Sequence, residues 1–426
     1  MYRIPLAVLC PFLFCVSAFA QQSADHDWPR FRGPNGSGIS ADSVIPDTWS
    51  SDDYAWTIEL RGTGTSSPVI FGEQMFVTSA DSDTGENFLE CFDKRSGEKK
   101  WEVAVESKPY RMHPQNSFAS STPVVDESGI YFMVGNPESV QMIGCDHDGA
   151  EKWRHEFGTF KAQHGFSMSP VLYEDRVVFI HSQQAVGIRD GGAPGDSVAY
   201  ALATENGEVL WERPLTTTRA CYSTPCIFRQ EGNADQILCS NTGDGFYSLD
   251  PLNGELNWSM PGLELRTVAA TVVDGDKVYA SNGSGGGGNY LVAIRAGAVS
   301  SSGEVVEPEP LFEVRQAANY VPTPLVTNDL LFMFGDRGIV SCYDSTDGTL
   351  HWQERLGRGF SGSPVAAGNN IYIIEPEGRI LVLRATDDFE LIHEIEAGEE
   401  SRATPAISGD RIYFRTASKV MALGGE

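Results

Sequence analysis

The sequence predicts an all-β protein, an eight-bladed β-propeller of four-stranded blades. A short strand pattern recurs along the chain: a small or polar residue, then proline, then an apolar run, as in residues 67–70. Successive copies lie 40 to 55 residues apart, which is the period of propeller blades with four strands each. The eight anchor positions, one of which has lost its proline, are Pro68, Pro123, Pro170, Pro225, Thr271, Pro324, Pro364 and Pro405.

A second repeated feature is an aromatic residue, in most repeats a tryptophan four positions after a turn glycine. A large flat ring at a fixed place in each outer hairpin is suited to packing against the next blade. The alternative is an aromatic ligand platform, but outer-hairpin rings of a propeller point away from its axis. We therefore predict structural docking by Trp56, Trp101, Trp153, Trp211, Trp258 and Trp352, with Phe312 and His393 at the two remaining positions.

The first full repeat contains the four strands of one blade. Its alternating apolar residues predict an inner strand over 65–71, a second strand over 74–79, a third over 88–92 and an outer strand over 100–105. The turn before the outer strand has Asp93, whose side chain can bond main-chain amides, and Gly97, which accepts a positive φ. The same turn chemistry returns in later repeats.

The last repeat predicts how the ring closes. Residues 404–407, 412–414 and 420–423 supply three strands, and no fourth strand follows them. Residues 54–58 carry Trp56 but have no inner strands before them. We expect this segment to be the missing outer strand of the last blade, since closing a ring with both ends of the chain removes exposed sheet edges.

The chain divides into three parts. Residues 1–20 are predicted to be a cleaved export signal, with Arg3, a short apolar run over 6–16 and a small-x-small site at Ala18-Phe19-Ala20. Residues 21–48 form an N-terminal extension, and 49–426 form the propeller. The apolar run is too short to span a bilayer and no later stretch is a transmembrane candidate. The protein is therefore expected in the periplasm or outside the cell.

Composition limits the partners. The formal net charge is −27, and removal of Arg3 with the signal leaves 30 basic against 58 acidic residues, or −28. Such acidity argues against nucleic acid and anionic membrane surfaces, which need basic patches, and we expect a soluble monomer. Among the cysteines, Cys226 and Cys239 fall on neighbouring strands, where either a disulfide or free packing is allowed.

Three segments carry a family resemblance. Residues 93–101 and 344–352 resemble the tryptophan-docking motif of the quinoprotein, or pyrrolo-quinoline quinone (PQQ)-like, propellers, and residues 28–36 resemble the opening of exported PQQ-like repeat proteins of the planctomycete type. BamB-like proteins of outer-membrane assembly share these repeats. The resemblance covers the whole predicted propeller and implies its fold.

The same resemblance implies what a catalytic member should contain. Quinoprotein alcohol dehydrogenases carry an adjacent Cys-Cys pair, calcium ligands and an aromatic floor beneath PQQ. This chain has no Cys-Cys pair, so we assign no catalytic residue and no metal ligand. We expect no cofactor, with PQQ and calcium as the alternative.

A candidate site lies on the face that carries the outer-to-inner connections. The loops over 81–86, 183–197 and 281–289 are predicted on that face, whereas turns on the other face are short. Each outer-to-inner connection also carries a basic or imidazole side chain, and near His113 either that residue or Arg111 faces the axis. The eight residues of this predicted cationic rim are Arg61, His113, His164, Arg219, Arg266, Arg315, Arg358 and Arg402.

Two interpretations of the rim remain open. The side chains could converge on a carboxylate or phosphate ligand, or they could pair with neighbouring carboxylates and hold blade to blade. The sequence thus favours an exported, non-catalytic propeller that acts as a binding or scaffold module for a small anionic ligand or a protein partner. The alternatives are a PQQ-dependent oxidoreductase and a BamB-like outer-membrane assembly factor.

Overall fold

A computed structural model describes residues 27–187 and 193–425. In these ranges eight four-stranded antiparallel blades form a closed ring, which confirms the predicted eight-bladed β-propeller. The predicted export signal, residues 21–26 of the extension and residues 188–192 of the predicted 183–197 loop lie outside the described residues. No helix in the described part of the chain has the length and apolar composition that a bilayer crossing needs.

The strands follow the chain blade by blade. Two strands precede the first full blade: β1 (Ile39–Ser40) and β2 (Tyr54–Glu59). Blade 1 contains β3 (Val69–Phe71), β4 (Gln74–Ala80), β5 (Asn87–Asp93) and β6 (Lys99–Val105). Blade 2 contains β7 (Val124–Asp126), β8 (Gly129–Gly135), β9 (Val140–Cys145) and β10 (Glu151–Glu156). Blade 3 contains β11 (Val171–Tyr173), β12 (Arg176–His181), β13 (Val198–Ala203) and β14 (Val209–Pro214). Blade 4 contains β15 (Cys226–Phe228), β16 (Gln236–Asn241), β17 (Gly245–Leu249) and β18 (Leu256–Met260).

The second half of the ring repeats the pattern with one insertion. Blade 5 contains β19 (Val272–Asp274), β20 (Lys277–Asn282), β21 (Tyr290–Arg295) and β24 (Glu309–Val314), interrupted by a hairpin of β22 (Ala298–Val299) and β23 (Val305–Val306). Blade 6 contains β25 (Leu325–Thr327), β26 (Leu330–Phe334), β27 (Ile339–Asp344) and β28 (Leu350–Arg355). Blade 7 contains β29 (Val365–Ala367), β30 (Asn370–Ile374), β31 (Arg379–Arg384) and β32 (Leu391–Glu396). Blade 8 contains β33 (Ala406–Ser408), β34 (Arg411–Arg415) and β35 (Lys419–Gly424), and short 3₁₀ turns occur at Pro34–Gly36 and Ser51–Asp53.

Blade 8 is completed by β2. This strand pairs antiparallel with β35, with Tyr54 opposite Leu423 and Trp56 opposite Ala422. The prediction that an N-terminal outer strand closes the ring is confirmed. With β2 in place, the edge of β35 that would otherwise attract other chains is paired.

The inner strands are shorter than the sequence predicted. The first runs over Val69–Phe71 rather than 65–71, because the residues before it bond to the next blade instead of to β4. The amides of Thr65 and Ser66, for example, both donate to the carbonyl of Ala119. These pre-strand segments therefore join blade to blade around the channel.

A belt of hydroxyl groups makes the same connection deeper in the channel. In it, the amide of one blade's pre-strand segment donates to a Ser or Thr hydroxyl of the following blade, at 2.9 to 3.0 Å. The donor and acceptor pairs are Ser67 with Thr122, Thr122 with Ser169, Ala270 with Thr323, Thr323 with Ser363, and Ser363 with Thr404. This belt explains why the residue before the proline is polar at five positions, which are Thr122, Ser169, Thr323, Ser363 and Thr404.

The outer-hairpin tryptophans lie between adjacent blades. The indole N–H of Trp211 donates to the carbonyl of Pro251 in blade 4 at 3.0 Å, and a Cβ on Gly254 would come within 2.5 Å of the indole ring. Equivalent donations to the next blade are made by Trp101 to His147 O, Trp153 to Thr204 O and Trp352 to Thr386 O. Gly254 is thus required for two reasons: its φ is positive, and the indole ring of Trp211 leaves no room for a Cβ.

The two other tryptophans differ in detail. Trp258 donates to the side-chain oxygen of Gln236 at 2.7 Å, because the β22–β23 hairpin replaces the short turn of blade 5. Trp56 packs against Tyr413 at 5.8 Å and over Gly97. The hairpin also shows that the expectation of only short turns on that face is wrong.

The six cysteines among the described residues are free and buried. Cys226 lies opposite Leu238 in the β15–β16 pair, so Cys239 is one register position away and faces the other side of the sheet. The two side chains pack in different inter-blade clusters. Both are free thiols, which decides between the two alternatives that the sequence allowed.

Candidate ligand site at the channel mouth

The N-terminal segment, residues 27–43, crosses one end of the central channel. We call this end the lower face; it carries the first-to-second and third-to-fourth strand turns. Trp28 exchanges two main-chain hydrogen bonds of 2.9 Å with Ile70 of β3, and β1 pairs in parallel with β29. Between these points the side-chain amide of Asn35 accepts from the amide and donates to the carbonyl of Ile227, both at 2.7 Å. The inner edges of distant blades are thereby joined by one segment.

Two arginines of this segment enter the channel wall. Arg30 donates to the carbonyl of Pro225 at 2.6 Å, and Arg32 donates to those of Pro324 at 2.9 Å and Pro364 at 3.3 Å. Arg32 is completely buried. Burial lowers the pKa of Arg32 to about 9 and that of Arg30 to about 10, so both stay charged at neutral pH. The repeated prolines therefore supply carbonyl acceptors for the chain's own N-terminal segment.

The other end of the channel, on the upper face, opens into a small cavity of about 160 Å³. Phe31 of the N-terminal segment lies at its base. The wall consists mainly of hydroxyl and amide groups from the pre-strand segments. The polar residues among those lining the cavity are Thr65, Gln115, Asn116, Ser120, Thr122, Ser167, Ser169, Tyr222, Thr224, Thr323, Ser361, Ser363, Arg402 and Thr404.

Two hydrogen-bond donors in this wall have no protein partner. The Nε of Arg402 and the hydroxyl of Tyr222 are buried and unpartnered among the described residues. Arg402 belongs to the connection before blade 8 and Tyr222 to the connection before blade 4, so they approach the cavity from opposite sides of the ring. Burial raises the pKa of Tyr222, which keeps its hydroxyl protonated and able to donate.

Three residues of the predicted cationic rim form one chain of contacts. The guanidinium of Arg266 lies 2.8 Å from Nε2 of His164, and its Nε donates to the carbonyl of Ala220 at 2.8 Å. The rings of His164 and His113 are 5.2 Å apart. Arg266 also lies close enough to Tyr222 to lower the pKa of that hydroxyl against the larger effect of burial. These three residues come from the connections before blades 2, 3 and 5, and through Arg266 they reach Tyr222 in the cavity wall.

The remaining rim residues do not converge. Arg61 pairs with Glu102 and Arg315 with Glu313, the latter at 2.7 Å. Arg402 pairs with Glu400 at 3.1 Å through a terminal nitrogen. Arg219 and Arg358 are exposed, and neither side chain has a hydrogen-bond or ion-pair partner within the described ranges. The eight residues are thus a dispersed set in which Arg402 and the Arg266 group adjoin the cavity.

Several lining residues were not identified from the sequence. The hydroxyls could have been found, because a Ser or Thr precedes proline in most repeats. Phe31 and Tyr222 had no such signal: Phe31 lies outside the repeats, and no other repeat has tyrosine three residues before its proline.

The residues of the cavity do not fit a calcium-bound quinone. Calcium takes six to eight oxygen ligands and normally includes carboxylates, yet the described lining residues include neither Asp nor Glu. A volume of about 160 Å³ is also below the 300–1,000 Å³ of typical cofactor pockets. In addition, the described chain has no group of three His, Cys, Asp or Glu side chains placed to hold a metal ion.

This propeller, with its docking tryptophans and proline-anchored inner strands, defines a PQQ-like repeat protein of BamB type. The chain belongs to the family whose profile is described as outer membrane protein assembly factor BamB, matched over residues 48–192, 193–388 and 336–424. No curated protein sequence matches the chain.

Solved structures with the same fold have diverse functions. BamB from Moraxella catarrhalis has a TM-score of 0.60 at 14% identity, covering 88% of this chain and 97% of its own. Quinohemoprotein alcohol dehydrogenase from Comamonas testosteroni has a TM-score of 0.65 at 13% identity, covering 95% and 81%. A europium-containing methanol dehydrogenase has a TM-score of 0.65 at 11% identity, covering 94% and 98%. At these identities the likeness establishes the fold alone.

Proposed function

We propose that this protein is an exported, non-catalytic β-propeller that binds a small anionic ligand in the channel-mouth cavity. The observation that carries the proposal is the pair of unpartnered donors, Arg402 Nε and Tyr222 Oη, in a wall whose described residues include no carboxylate. Buried donors without partners are costly and favour a ligand that accepts hydrogen bonds. Export follows from the predicted signal over residues 1–20, and the protein is proposed to act as a monomer.

The cavity wall favours binding over catalysis. The described lining residues are hydroxyl, amide, guanidinium and apolar groups, with no histidine, cysteine or carboxylate that could serve as a general base. A guanidinium and a ring of hydroxyls provide donors for phosphate or carboxylate oxygens. Arg266, close to Tyr222, adds positive potential in a protein whose net charge is −27.

The experiment measures thermal unfolding in phosphate, sulfate or acetate at constant ionic strength, against chloride. Binding stabilises the folded state by RT ln(1 + [L]/Kd), so phosphate at a hundred times its Kd should add about 2.7 kcal/mol. Arg402→Gln and Tyr222→Phe should each weaken this response by about tenfold in Kd, since each removes a donor to a charged ligand.

Arg315→Gln is the matched control. It removes the same charge from the same face, but Arg315 pairs with Glu313 outside the cavity. The proposal fails if phosphate shifts the wild type no more than chloride does, or if Arg315→Gln and Arg402→Gln reduce the response equally. In either case the cavity is not an anion site.

A second candidate function is a role in outer-membrane protein assembly with a protein partner. The profile match across residues 48–424 favours it. Deleting the gene should then lower the amount of β-barrel protein in the outer membrane, and the wild-type gene should restore it. Normal outer-membrane content in the deletion strain would contradict this function without affecting the anion proposal.

A further inference from the structure

A larger cavity lies on the lower face, away from the proposed anion site. Its volume is about 650 Å³, within the usual range of ligand pockets. It is bounded by the N-terminal segment and by the inner strands and turns of blades 2, 3 and 4. Its floor is apolar and includes Val124, Leu172 and Ile227.

The inner strand of each blade directs one residue's main chain toward the channel. In the three-residue inner strands this is the middle residue, because the outer two pair with the second strand through closely spaced bonds. The N-terminal segment bonds to that position in four blades: Ile70, Val125 and Ala366 accept or donate main-chain bonds, and Ile227 bonds to Asn35.

Blade 3 is one of the four blades in which the N-terminal segment makes no such bond among the described residues. Leu172 is the middle residue of β11 and pairs with Val177 across the hairpin. Its N–H and C=O have no hydrogen-bond partner among residues 27–187 and 193–425, and its half-buried side chain lines the cavity. The N-terminal segment passes from blade 2 to blade 4 without a hydrogen bond to this edge, so the main-chain groups of Leu172 form an open strand edge within the cavity.

The cavity rim is acidic. Glu127, Glu174 and Asp175 are exposed in the first-to-second strand turns of blades 2 and 3, and Asp126 is the last residue of β7. The two arginines that line the cavity are engaged elsewhere: Arg30 bonds to Pro225 O, and Arg229 pairs with Asp235 at 3.1 Å. Arg176, beside the rim, pairs with Asp175 and lies 3.9 Å from the carboxylate of Glu174, so one cation faces two of these carboxylates. The excess of carboxylates therefore leaves this cavity suited to cations.

We propose that this cavity binds an extended basic peptide segment of a partner protein, which adds as a strand to the inner edge of β11. Main-chain bonds to Leu172 would supply the strand pairing, as Trp28 does for Ile70. Apolar side chains of the peptide would contact the half-buried side chains of Leu172 and Phe71. Lysine or arginine side chains at alternate positions would reach Glu127 and Glu174, since neighbouring residues of a strand point to opposite sides.

The test uses the full-length protein and the probe peptide acetyl-Lys-Val-Lys-Val-Lys-amide, with binding measured by calorimetry. We expect saturable one-to-one binding that weakens with salt, because the attraction is partly electrostatic. Two further peptides separate strand pairing from charge. One carries an N-methyl group on its central lysine, which removes the N–H that would donate to Leu172, and the other has glutamate in place of lysine. Neither should bind measurably.

Protein variants locate the site. Glu127→Lys/Glu174→Lys should raise the Kd by about tenfold or more, because two attractions become repulsions. At Glu174 the backbone φ of +50° is no worse for lysine than for glutamate. The matched control reverses two exposed charges at the β22–β23 hairpin, Glu304→Lys/Glu307→Lys, and should leave the Kd unchanged. Equal binding of the N-methylated peptide, equal effects of all variants, or no binding at millimolar peptide would each overturn the proposal.

Discussion

At the scale of single residues, the channel uses buried polar groups where most cores use apolar ones. Arg32 is wholly enclosed, and its charge is balanced by main-chain carbonyls rather than by a carboxylate. Burying an uncompensated ion costs several kcal/mol. The forked guanidinium offsets this cost, because it donates to two carbonyls on different blades. Lysine could not replace it, because an ammonium cannot span Pro324 and Pro364 in the same way.

His181 makes the stability of the folded protein depend on pH. Its ring is 2% exposed and lies against Phe160 and Phe179, and burial lowers its pKa from 6.5 to about 4. Between these values the unfolded chain binds a proton that the folded protein excludes, so stability falls as pH drops from 6.5 to 4. Replacing His181 by Phe should remove roughly 2–3 kcal/mol of the loss between pH 7 and pH 4.5. Urea unfolding at the two pH values measures it.

His351→Phe is the control for this pH effect, because His351 is exposed on β28. That variant should keep the wild-type dependence of unfolding free energy on pH. If both variants behave alike, His181 is protonated as easily in the folded protein as in the unfolded chain, and the interpretation of its burial is wrong.

At the scale of elements, each outer hairpin is held by one ring. Trp211 is 7% exposed, covers Gly254 and donates to Pro251 O. Trp211→Ala should destabilise the protein by about 3–5 kcal/mol, the usual cost of deleting a large buried aromatic side chain. Denaturant unfolding checks the value.

The neighbouring residue provides the comparison for Trp211. Leu210 is 43% exposed on the same strand, so Leu210→Ala should change stability by about 0.5 kcal/mol or less. A Trp211→Ala effect as small as that of Leu210→Ala would show that the ring does not join the blades, and would revive the alternative of an aromatic ligand platform.

The periodic elements could be predicted from the sequence, and the others could not. Strands, turn glycines and the completion of blade 8 by β2 follow from local patterns that repeat. The N-terminal segment has no repeat to reveal its partners: Arg32 meets Pro324 across 292 positions. The rim is a similar case, because its eight basic or imidazole side chains look equivalent in the sequence. Which of them touch, as Arg266 and His164 do, depends on how the connections fold across the mouth of the channel.

At the scale of the whole molecule, stability depends on closing the ring. A chain that begins at Trp49 keeps β2 but loses the buried Trp28, Arg30 and Arg32. We expect it to melt in one transition at a lower temperature, since burial of Trp28 alone is worth about 3–5 kcal/mol. A chain that begins at Thr63 also loses β2 and exposes the edge of β35. It should aggregate and lose a single cooperative transition.

Calorimetry with light scattering distinguishes the two shortened chains. Identical melting curves for the chains that begin at Trp49 and Thr63 would mean that β2 is dispensable. A chain from Trp49 as stable as the full chain would mean that the N-terminal segment adds nothing to the propeller.

The pairing of β2 with β35 also sets an order on how the molecule can be made. Ribosomes release the chain from its N-terminus, so Tyr54 emerges long before its partner Leu423 exists. At about 5–20 residues per second, synthesis of the intervening chain takes roughly 20 to 70 seconds. During that interval β2 has no partner strand, and the inner edges that receive residues 27–43 appear one blade at a time. The nascent protein is therefore an open arc of blades whose exposed strand edges need protection from association with other chains. The ring closes only when β35 has been made and can pair with β2.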